Sequence, residues 1–209
     1  MSDFIIAIDG PAGSGKSTVA RAVAEELGWS FLDTGSMYRA VTFEALARGI
    51  DVHDVDSVAA LAESVAIATL PHVTINGRDV HNELRSETVN VAVSAVAANA
   101  RVRASMVARQ REIALAQTVG TVVEGRDITT VVFPHATVKV FLTATLEERA
   151  QRRGDESAES VARRDRADTS RLASPLTQAN DALVLDTTGR DVSDVVREII
   201  ECLKSKNLY

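Results

Sequence analysis

A glycine-rich stretch near the start of the chain, "GPAGSGKST" at residues 10–18, constrains the fold more than any other feature. An apolar run, "FIIAI", precedes it, and Val19, Val23 and Leu27 recur every four residues after it. The pattern therefore predicts a strand, a loop and a helix in succession. Glycines allow the loop backbone to direct its N–H groups inward, and the helix N-terminus adds partial positive charge. The stretch predicts a binding site for a triphosphate.

Two side chains of this loop have the chemistry that such a site needs. Lys16 is long enough to reach the outer phosphates, and the hydroxyl of Ser17 is a suitable ligand for Mg²⁺. Gly28 suits the C-terminal end of the predicted helix. The order of strand, loop and helix favours the triphosphate site over a tight glycine-rich turn before an ordinary helix.

Length and composition indicate one α/β domain. The chain has 209 residues, 45% of them apolar, and no apolar stretch is long enough to cross a bilayer. The first strand begins at once, which leaves no room for a signal peptide, and Cys202 is the single cysteine. We therefore expect a cytoplasmic protein without a membrane partner. The net charge of −6 argues against a nucleic-acid partner.

Short apolar runs alternate with helical segments, which is typical of a parallel sheet covered by helices on both faces. Residues 65–84 break this alternation, because β-branched residues surround Asn76-Gly77, a hairpin signal, and Pro71 marks a turn or an edge. We expect a small antiparallel insert of two or three strands there. The predicted strands of the main sheet are 4–8, 30–33, 121–124, 138–142 and 182–186, and the later helices are 86–100, 102–117 and 193–206.

Three polar motifs follow the ends of predicted strands: "GPAGSGKS", "DTGSMYR" at 33–39 and "EGRD" at 124–127. Ligands of doubly wound sheets bind beyond the carboxyl ends of the strands. We therefore expect the three motifs to converge on one cleft.

Arginines outnumber lysines 19 to 4, and seven of them lie between Arg149 and Arg171. The planar guanidinium group matches phosphate oxygens in a bidentate manner. An arginine-rich segment in an acidic chain therefore points to small phosphorylated ligands, with a solvated charged helix as the alternative.

The spacing within this segment predicts two helices that bear charged faces. Arg149, Arg152 and Arg153 are expected on one face of the first, and Arg164, Asp168 and Arg171 on one face of the second. The polar stretch "DESAES" at 155–160 separates the two groups. The arrangement predicts a lid that closes over the phosphates and excludes water. The alternative is a set of internal ion pairs, Arg164–Asp168 and Asp168–Arg171.

Phosphate loops of this kind serve GTPases, motors and kinases. The Asn-Lys-x-Asp stretch with which GTPases usually recognise guanine does not occur in the sequence, and no long coupling region indicates a motor. A kinase needs a second anionic pocket, for which Arg39, Arg126 and the Arg149–Arg171 group are available. Two alternatives stay open: a kinase for a different nucleotide or a carboxylic acid, and a binding module or regulatory switch that hydrolyses slowly.

The chain resembles the bacterial cytidylate kinases over nearly its whole length. The stretches that carry the resemblance are "IAIDGPAGSGKST", "FLDTGSMYRAV", "ARVRASMVARQRE", "VVEGRDITTVVFP", "VKVFLTATLEERAQRR", "RRDRADTSRLASPL" and "ALVLDTT". The resemblance implies the P-loop nucleoside-monophosphate-kinase fold, with a five-stranded parallel sheet flanked by helices. It also implies transfer of the γ-phosphate of ATP to CMP or dCMP with Mg²⁺, and we expect a monomer.

The resemblance also implies roles for individual residues. Lys16, Arg152 and Arg153 are the implied catalytic residues, and Ser17 ligates Mg²⁺ that is held mostly by the ATP phosphates. The implied ATP-binding residues are Gly10, Pro11, Ala12, Gly13, Ser14, Gly15, Lys16, Ser17 and Thr18. The implied CMP-binding residues are Thr34, Arg39, Ser94, Arg103, Arg126, Asp127, Arg164, Asp168 and Arg171. Among these, Ser94, Arg103 and Asp127 are implied to recognise cytosine.

By the same resemblance the chain is one nucleotide-kinase domain, with a core at 1–62, 86–145 and 172–209, a CMP-side insert at about 63–85 and a lid at about 146–171. Three positions depart from the family pattern: Thr34 replaces Ser, Ser36 replaces Ala, and Thr129 replaces the Gly that commonly follows "GRDI". The lid segment between Arg153 and Arg163 is also short compared with the family pattern.

Overall fold

Helices and strands alternate through most of the chain, as the apolar runs predict. The computed structural model describes residues 4–69, 72–154 and 157–206. Its helices are α1 (Lys16–Leu27), α2 (Thr34–Ala47), α3 (Val55–Ser64), α4 (Glu87–Ala98), α5 (Ala100–Leu115), α6 (Leu146–Arg152), α7 (Ala158–Thr169) and α8 (Val192–Ser205). Its strands are β1 (Ile5–Asp9), β2 (Ser30–Asp33), β3 (Ile67–Ala68), β4 (Thr74–Ile75), β5 (Arg78–Asp79), β6 (Thr121–Gly125), β7 (Val138–Thr143) and β8 (Leu183–Asp186).

Strand β1 lies at the centre of a five-stranded parallel sheet with the order β2-β6-β1-β7-β8. It pairs with β6 on one side and β7 on the other, and all five of its residues are buried. Burial on both faces explains why β1 is a continuous apolar run as far as Ile8 and not an alternating one. At its carboxyl end, Asp9 lies opposite Gly125 and Phe141, so the glycine-rich loop begins beside the segment that follows β6.

The apolar faces of α1 and α8 pack on this sheet and form the main core. The predicted stripe of α1 and the predicted stripe of α8 are both buried. Gly28 ends α1 with a left-handed backbone conformation, φ 65°, as expected for a glycine at a helix C-terminus. The buried residues of the two stripes are Val19, Val23, Leu27, Val195, Val196, Ile199, Ile200 and Leu203.

The chain divides into two compact units. The first consists of the chain up to Leu32 together with the chain from Arg111 onward, and the second consists of residues 33–110. The second unit, 33–110, contains a three-stranded antiparallel sheet of β3, β4 and β5. Asn76 and Gly77 connect β4 to β5 with positive φ angles of 51° and 78°, as the hairpin signal predicts.

The expected α/β fold, parallel sheet and antiparallel insert are confirmed, and the helix bounds differ from prediction by a few residues. The turn predicted at Pro71 and two residues of the polar stretch, Asp155 and Glu156, lie outside the described residues. The division into core, insert and lid at the expected bounds stays a prediction. Within the described ranges, the structure contains no helix with the length and apolarity needed to span a membrane.

Candidate active site

The glycine-rich loop between β1 and α1 packs directly against two backbone segments. A Cβ atom added to Gly10 would lie 2.1 Å from the carbonyl oxygen of Leu142, and one added to Gly13 would lie 2.5 Å from that of Arg149. Both glycines also have positive φ angles, 153° and 78°. Only glycine fits at these two positions, so the path of the loop is fixed by its contacts. The predicted strand, loop and helix are confirmed.

Lys16, the first residue of α1, points back into this loop. Its Nζ donates a hydrogen bond to the carbonyl oxygen of Pro11 at 2.8 Å, and the residue is 7% exposed. Burial, followed by the positive charge of Arg126, lowers the pKa of Lys16 to about 7, even though nearby carboxylates, Glu124 foremost, act to raise it. The ammonium group therefore lies in a site that an additional anion would stabilise.

Arg126 connects the segment after β6 to the phosphate loop and to α7. Its Nη1 donates to the carbonyl oxygen of Gly10 at 2.7 Å, and its Nε donates to Oδ2 of Asp168 at 2.7 Å. The other carboxylate oxygen of Asp168 accepts from Arg171. The first and third polar motifs therefore meet, as predicted. The second motif, "DTGSMYR", belongs to the other unit, and its convergence with them stays a prediction.

Asp9, the last residue of β1, holds the backbone of the segment that follows β6. Its Oδ1 accepts from the backbone N–H of Ile128 at 2.9 Å, and its Oδ2 accepts from the N–H and the hydroxyl of Thr129, each at 2.7 Å. Burial raises the pKa of Asp9, and these hydrogen bonds oppose the rise. A five-residue π-helical turn, Ile128–Val132, follows, and the preceding Asp127 is 4% exposed. Such turns are frequent at functional sites.

Arg152, the last residue of α6, is bound by the segment that follows β8. It donates to the hydroxyl of Thr187 at 2.8 Å and to its carbonyl oxygen at 2.7 Å, and it forms an ion pair with Glu148 at 3.1 Å. The hydroxyl of Thr187 also lies 3.2 Å from the carbonyl oxygen of Ser14. Arg153 follows as the C-cap residue of α6. Arg149 and Arg152 of the first predicted arginine group therefore lie beside the phosphate loop, whereas Arg153 lies just beyond the helix on which it was predicted.

The prediction that Arg164, Asp168 and Arg171 share one helical face is wrong. Helix α7 carries Arg164 and Asp168 but ends at Thr169, so Arg171 does not share a helical face with them. Arg171 still forms the Asp168–Arg171 ion pair that the alternative interpretation contained. Asp168 is also paired with Arg126, 42 residues earlier in the chain, which the spacing within one helix does not predict.

The remaining predicted residues lie in the second unit. Arg39, on α2, donates to the carbonyl oxygen of Leu84 at 2.9 Å and to Asn90 on α4 at 2.6 Å. Arg103, on α5, donates to the carbonyl oxygen of Ala97 at 3.1 Å, and its guanidinium carbon lies 5.3 Å from the centre of the Tyr38 ring. Tyr38 is itself buried, so its ring packs in the interior of this unit. Thr34 begins α2 and is buried, whereas Ser94 is half-buried on α4.

Several residues of the site were not identified from the sequence: Asp9, Arg149 as a partner of the loop, Asp165 and Thr187. Asp9 gives a local signal, because it is the one charged residue in a buried strand and directly precedes Gly10. The other three contact the loop from distant parts of the chain, and no spacing in the sequence indicates those contacts.

The protein oxygens near the loop fit Mg²⁺ that is carried by a nucleotide. In the described ranges, no group of three or more His, Cys, Asp or Glu side chains could hold a metal ion. Mg²⁺ in nucleotide sites is bound through one or two protein oxygens and the phosphates, not by a dedicated cage of side chains. The hydroxyl of Ser17, in the first turn of α1, supplies an oxygen of the kind that Mg²⁺ prefers.

Comparison with known proteins identifies a family. The family model for cytidylate kinase matches residues 6–205. The cytidylate kinase of Geobacillus kaustophilus is 47% identical over 218 aligned residues, which cover 96% of this chain and 96% of that protein. The cytidylate kinase of Mycobacterium leprae is 43% identical over 223 aligned residues, which cover 99% and 98% of the two chains.

Solved structures support the fold independently. A gluconokinase from Sinorhizobium meliloti superposes with a TM-score of 0.56 at 16% sequence identity and covers 99% of this chain and 96% of its own. The protein TT1252 from Thermus thermophilus gives a TM-score of 0.53 at 21% identity and covers 95% and 96%. At such identities the likeness concerns the fold alone. The full-length sequence match, together with the phosphate loop and the arginines around it, shows that the chain belongs to the cytidylate kinase family.

Proposed function

We propose that this protein transfers the γ-phosphate of ATP to CMP or dCMP and releases ADP with CDP or dCDP. One observation carries the proposal beyond family membership. Arg126, an arginine expected to hold the acceptor phosphate, donates to the carbonyl oxygen of Gly10 in the loop expected to hold the donor. The donor and acceptor phosphates would therefore be bound by groups that contact each other. Direct transfer of a phosphoryl group requires the two phosphates to be held this close together.

The donor phosphates are assigned to the loop from Gly10 to Thr18. The backbone N–H groups at the start of α1 and the Lys16 ammonium would balance the negative charge of the β- and γ-phosphates. Lys16 would exchange the carbonyl oxygen of Pro11 for a phosphate oxygen, and an anion there would raise its pKa from about 7. Ser17 would hold Mg²⁺ with the phosphates, and the ion would supply charge neutralisation during transfer.

Phosphoryl transfer to CMP does not require a strong general base. A CMP phosphate oxygen, already anionic at neutral pH, attacks the γ-phosphorus in line, and the bond to the β–γ bridging oxygen breaks. The protein has to position the two phosphates and neutralise charge. We assign the second task to Lys16, Arg152 and Arg153. Arg152 would leave Thr187 to reach the γ-phosphoryl group, a movement of one side chain at the end of α6.

The acceptor is assigned to the residues that the family resemblance implies for CMP. Arg39, Arg126 and Arg171 would hold the CMP phosphate, and Arg164 with Asp168 would contact the sugar. Ser94, Arg103 and Asp127 would recognise cytosine, and Thr34 would lie beside the acceptor. Burial of Asp127 and Arg103 supports their part in this assignment, because buried charged groups discriminate between ligands more strongly than exposed ones.

We further propose a monomer in the cytoplasm without nucleic-acid or membrane partners. The single cysteine agrees with a reducing compartment, and the net charge of −6 disfavours phosphate polymers as ligands. Sedimentation at assay concentrations would test the oligomeric state.

A coupled ADP-release assay with ATP, Mg²⁺ and one acceptor at a time tests the central proposal. CMP and dCMP should support turnover, and UMP and AMP should support far less. If another nucleotide or a carboxylic acid supported faster turnover than CMP, that compound would replace CMP as the proposed substrate. ADP release that is independent of any acceptor would indicate a slowly hydrolysing binding module instead.

A further inference from the structure

Both backbone polar groups of Ala12, in the middle of the phosphate loop, are bound by one ion pair. The carbonyl oxygen of Ala12 accepts from Nη1 of Arg149 at 3.1 Å, and the N–H of Ala12 donates to Oδ1 of Asp165 at 3.4 Å. The same Nη1 lies 2.5 Å from Oδ2 of Asp165. The pair thus joins α6 and α7 to one residue of the loop.

The ion pair is itself held firmly. The side chains of Arg149 and Asp165 are 10% and 20% exposed, and Nε of Arg149 donates to the carbonyl oxygen of Ala144 at 3.1 Å. Ala12 is 2% exposed, so water cannot easily replace the pair as its hydrogen-bond partner. The backbone of Arg149 also lies against Gly13, where an added Cβ would come within 2.5 Å of its carbonyl oxygen.

Binding Ala12 at both ends orients two consecutive peptide groups. In a planar trans peptide the N–H and the C=O point in opposite directions. When Asp165 fixes the N–H of Ala12, it directs the carbonyl oxygen of Pro11 the other way, and that oxygen accepts from Nζ of Lys16 at 2.8 Å. When Arg149 fixes the carbonyl oxygen of Ala12, it directs the N–H of Gly13 away from itself.

We propose that Arg149 and Asp165 are positioning residues for the donor nucleotide. They orient the Pro11–Ala12 and Ala12–Gly13 peptide groups, and through them the Lys16 ammonium and the N–H of Gly13. Neither residue is assigned to the substrates. The inference rests on the proposed function in one respect: the loop is taken to bind the phosphates of ATP.

Asp165 and Asp168 lie on the same helix but bind different groups. Asp165 binds the loop, whereas Asp168 binds Arg126. Replacing Asp165 therefore removes a contact to the loop and leaves the contact between Asp168 and Arg126 in place. Disturbing the Arg149–Asp165 pair should weaken donor binding, and transfer with it, more than acceptor binding.

The test compares three variants with the wild type. Asp165→Asn keeps the size of the side chain but removes the charge opposite Arg149. The double variant Arg149→Met/Asp165→Leu removes both charges at once, so that no unpaired charge stays buried, but leaves Ala12 without its partners. The matched control, Arg190→Met/Glu198→Leu, removes an ion pair that joins residues 190 and 198 and has no hydrogen bond to the loop.

The readouts are the dissociation constant for the ATP analogue AMP-PNP, by calorimetry, and KM for ATP and for CMP, with unfolding in urea as a check on stability. We expect both Asp165 variants to bind AMP-PNP about ten-fold more weakly, the loss that one or two unmade hydrogen bonds cause. KM for ATP should rise and kcat should fall. KM for CMP should change by less than about three-fold, because neither Arg149 nor Asp165 is assigned to the acceptor. The control should match the wild type.

Wild-type affinity for AMP-PNP in a folded double variant would overturn the proposal. An equal rise in both KM values that follows the loss of stability would also overturn it, because that pattern indicates a merely structural pair. If the double variant does not fold, Asp165→Asn alone decides between the same outcomes. AMP-PNP binding requires no acceptor, so failure of the wild type to phosphorylate CMP would refute the proposed function without affecting this test.

Discussion

Thr129 donates twice to one carboxylate oxygen of Asp9, from its backbone N–H and from its hydroxyl, each at 2.7 Å. Both residues are at most 1% exposed. The family pattern commonly has Gly where this chain has Thr129, and a glycine provides only the N–H. The hydroxyl therefore gives the buried Asp9 carboxylate an extra donor, and it strengthens the connection between the end of β1 and the segment that contains Arg126 and Asp127.

Thr129→Val should destabilise the protein by about 2 kcal/mol, because a methyl group replaces a hydroxyl that donates to a buried charged group. Valine has nearly the same shape as threonine, so lost packing contributes little. Urea unfolding measures the change. Thr129→Ser, which keeps the hydroxyl, is the control and should lie closer to the wild type. Equal stabilities for the valine and serine variants would show that the hydroxyl bond contributes nothing.

Lys16→Met should abolish phosphoryl transfer and leave the fold intact. Methionine fills much of the space of the lysine stem but has no charge for the donor phosphates. Turnover with CMP and the far-ultraviolet circular dichroism spectrum would be measured on the same sample. Near-normal turnover in a folded variant would remove Lys16 from the catalytic residues.

The lowered pKa of Lys16 predicts a specific pH dependence of stability. The native group titrates near pH 7 and the unfolded group near 10.5. Between these values the unfolded chain keeps a proton that the native protein has released, so this group makes the free energy of unfolding rise with pH. The slope is at most about 1.4 kcal/mol per pH unit.

Urea unfolding of the nucleotide-free protein at pH 7, 8 and 9 tests this dependence. The difference in stability between the wild type and Lys16→Met should grow in favour of the wild type as the pH rises. Lys139→Met is the control, because Lys139 pairs with the exposed Asp181 and not with the loop. A difference that stays constant over this pH range would mean that Lys16 keeps an ordinary pKa.

Local patterns predicted the fold well and the interior of the site only in part. Buried strands appear as apolar runs and helices as periodic stripes, so β1, α1 and α8 could be identified from neighbouring residues alone. The Asp9–Thr129 and Arg149–Ala12 contacts join residues 120 and 137 positions apart. In a segment with seven arginines and several carboxylates, sequence spacing does not determine the pairs: Asp168 meets Arg126 as well as its neighbour Arg171.

Arg152→Ala and Arg153→Ala should lower kcat more than they raise KM for CMP. Arginines that act on the charge of the transferring phosphoryl group stabilise the transition state more than the bound substrates, and their loss appears in kcat. Steady-state kinetics with CMP at saturating ATP measures the two constants. Thr187→Val is the control for Arg152, because it removes the hydroxyl that holds the guanidinium without removing the charge. A rise in KM alone would make these arginines ground-state binding groups.

Asp127 should decide between cytosine and uracil. Cytosine presents an exocyclic amino donor where uracil presents an acceptor, and an ionised carboxylate can only accept hydrogen bonds. Asp127 is 4% exposed, and its carbonyl oxygen accepts from Val131 at 2.9 Å and Val132 at 3.1 Å, which fixes its backbone. A buried polar group of this kind can reject a mismatched ligand by about 10⁴. Arg103 cannot discriminate in this way, because it can donate to the O2 that both bases share.

Asp127→Ala should therefore lose most of its activity on CMP, and its preference for CMP over UMP should shrink sharply. Asp127→Asn sharpens the test, since the amide group has the same size and can donate to uracil O4. It should gain activity on UMP relative to the alanine variant. The measurement is kcat/KM for both acceptors in the wild type and the two variants. An unchanged ratio in both variants would show that Asp127 does not contact the base, and base recognition would then fall to Ser94 and Arg103, the two other residues proposed for it.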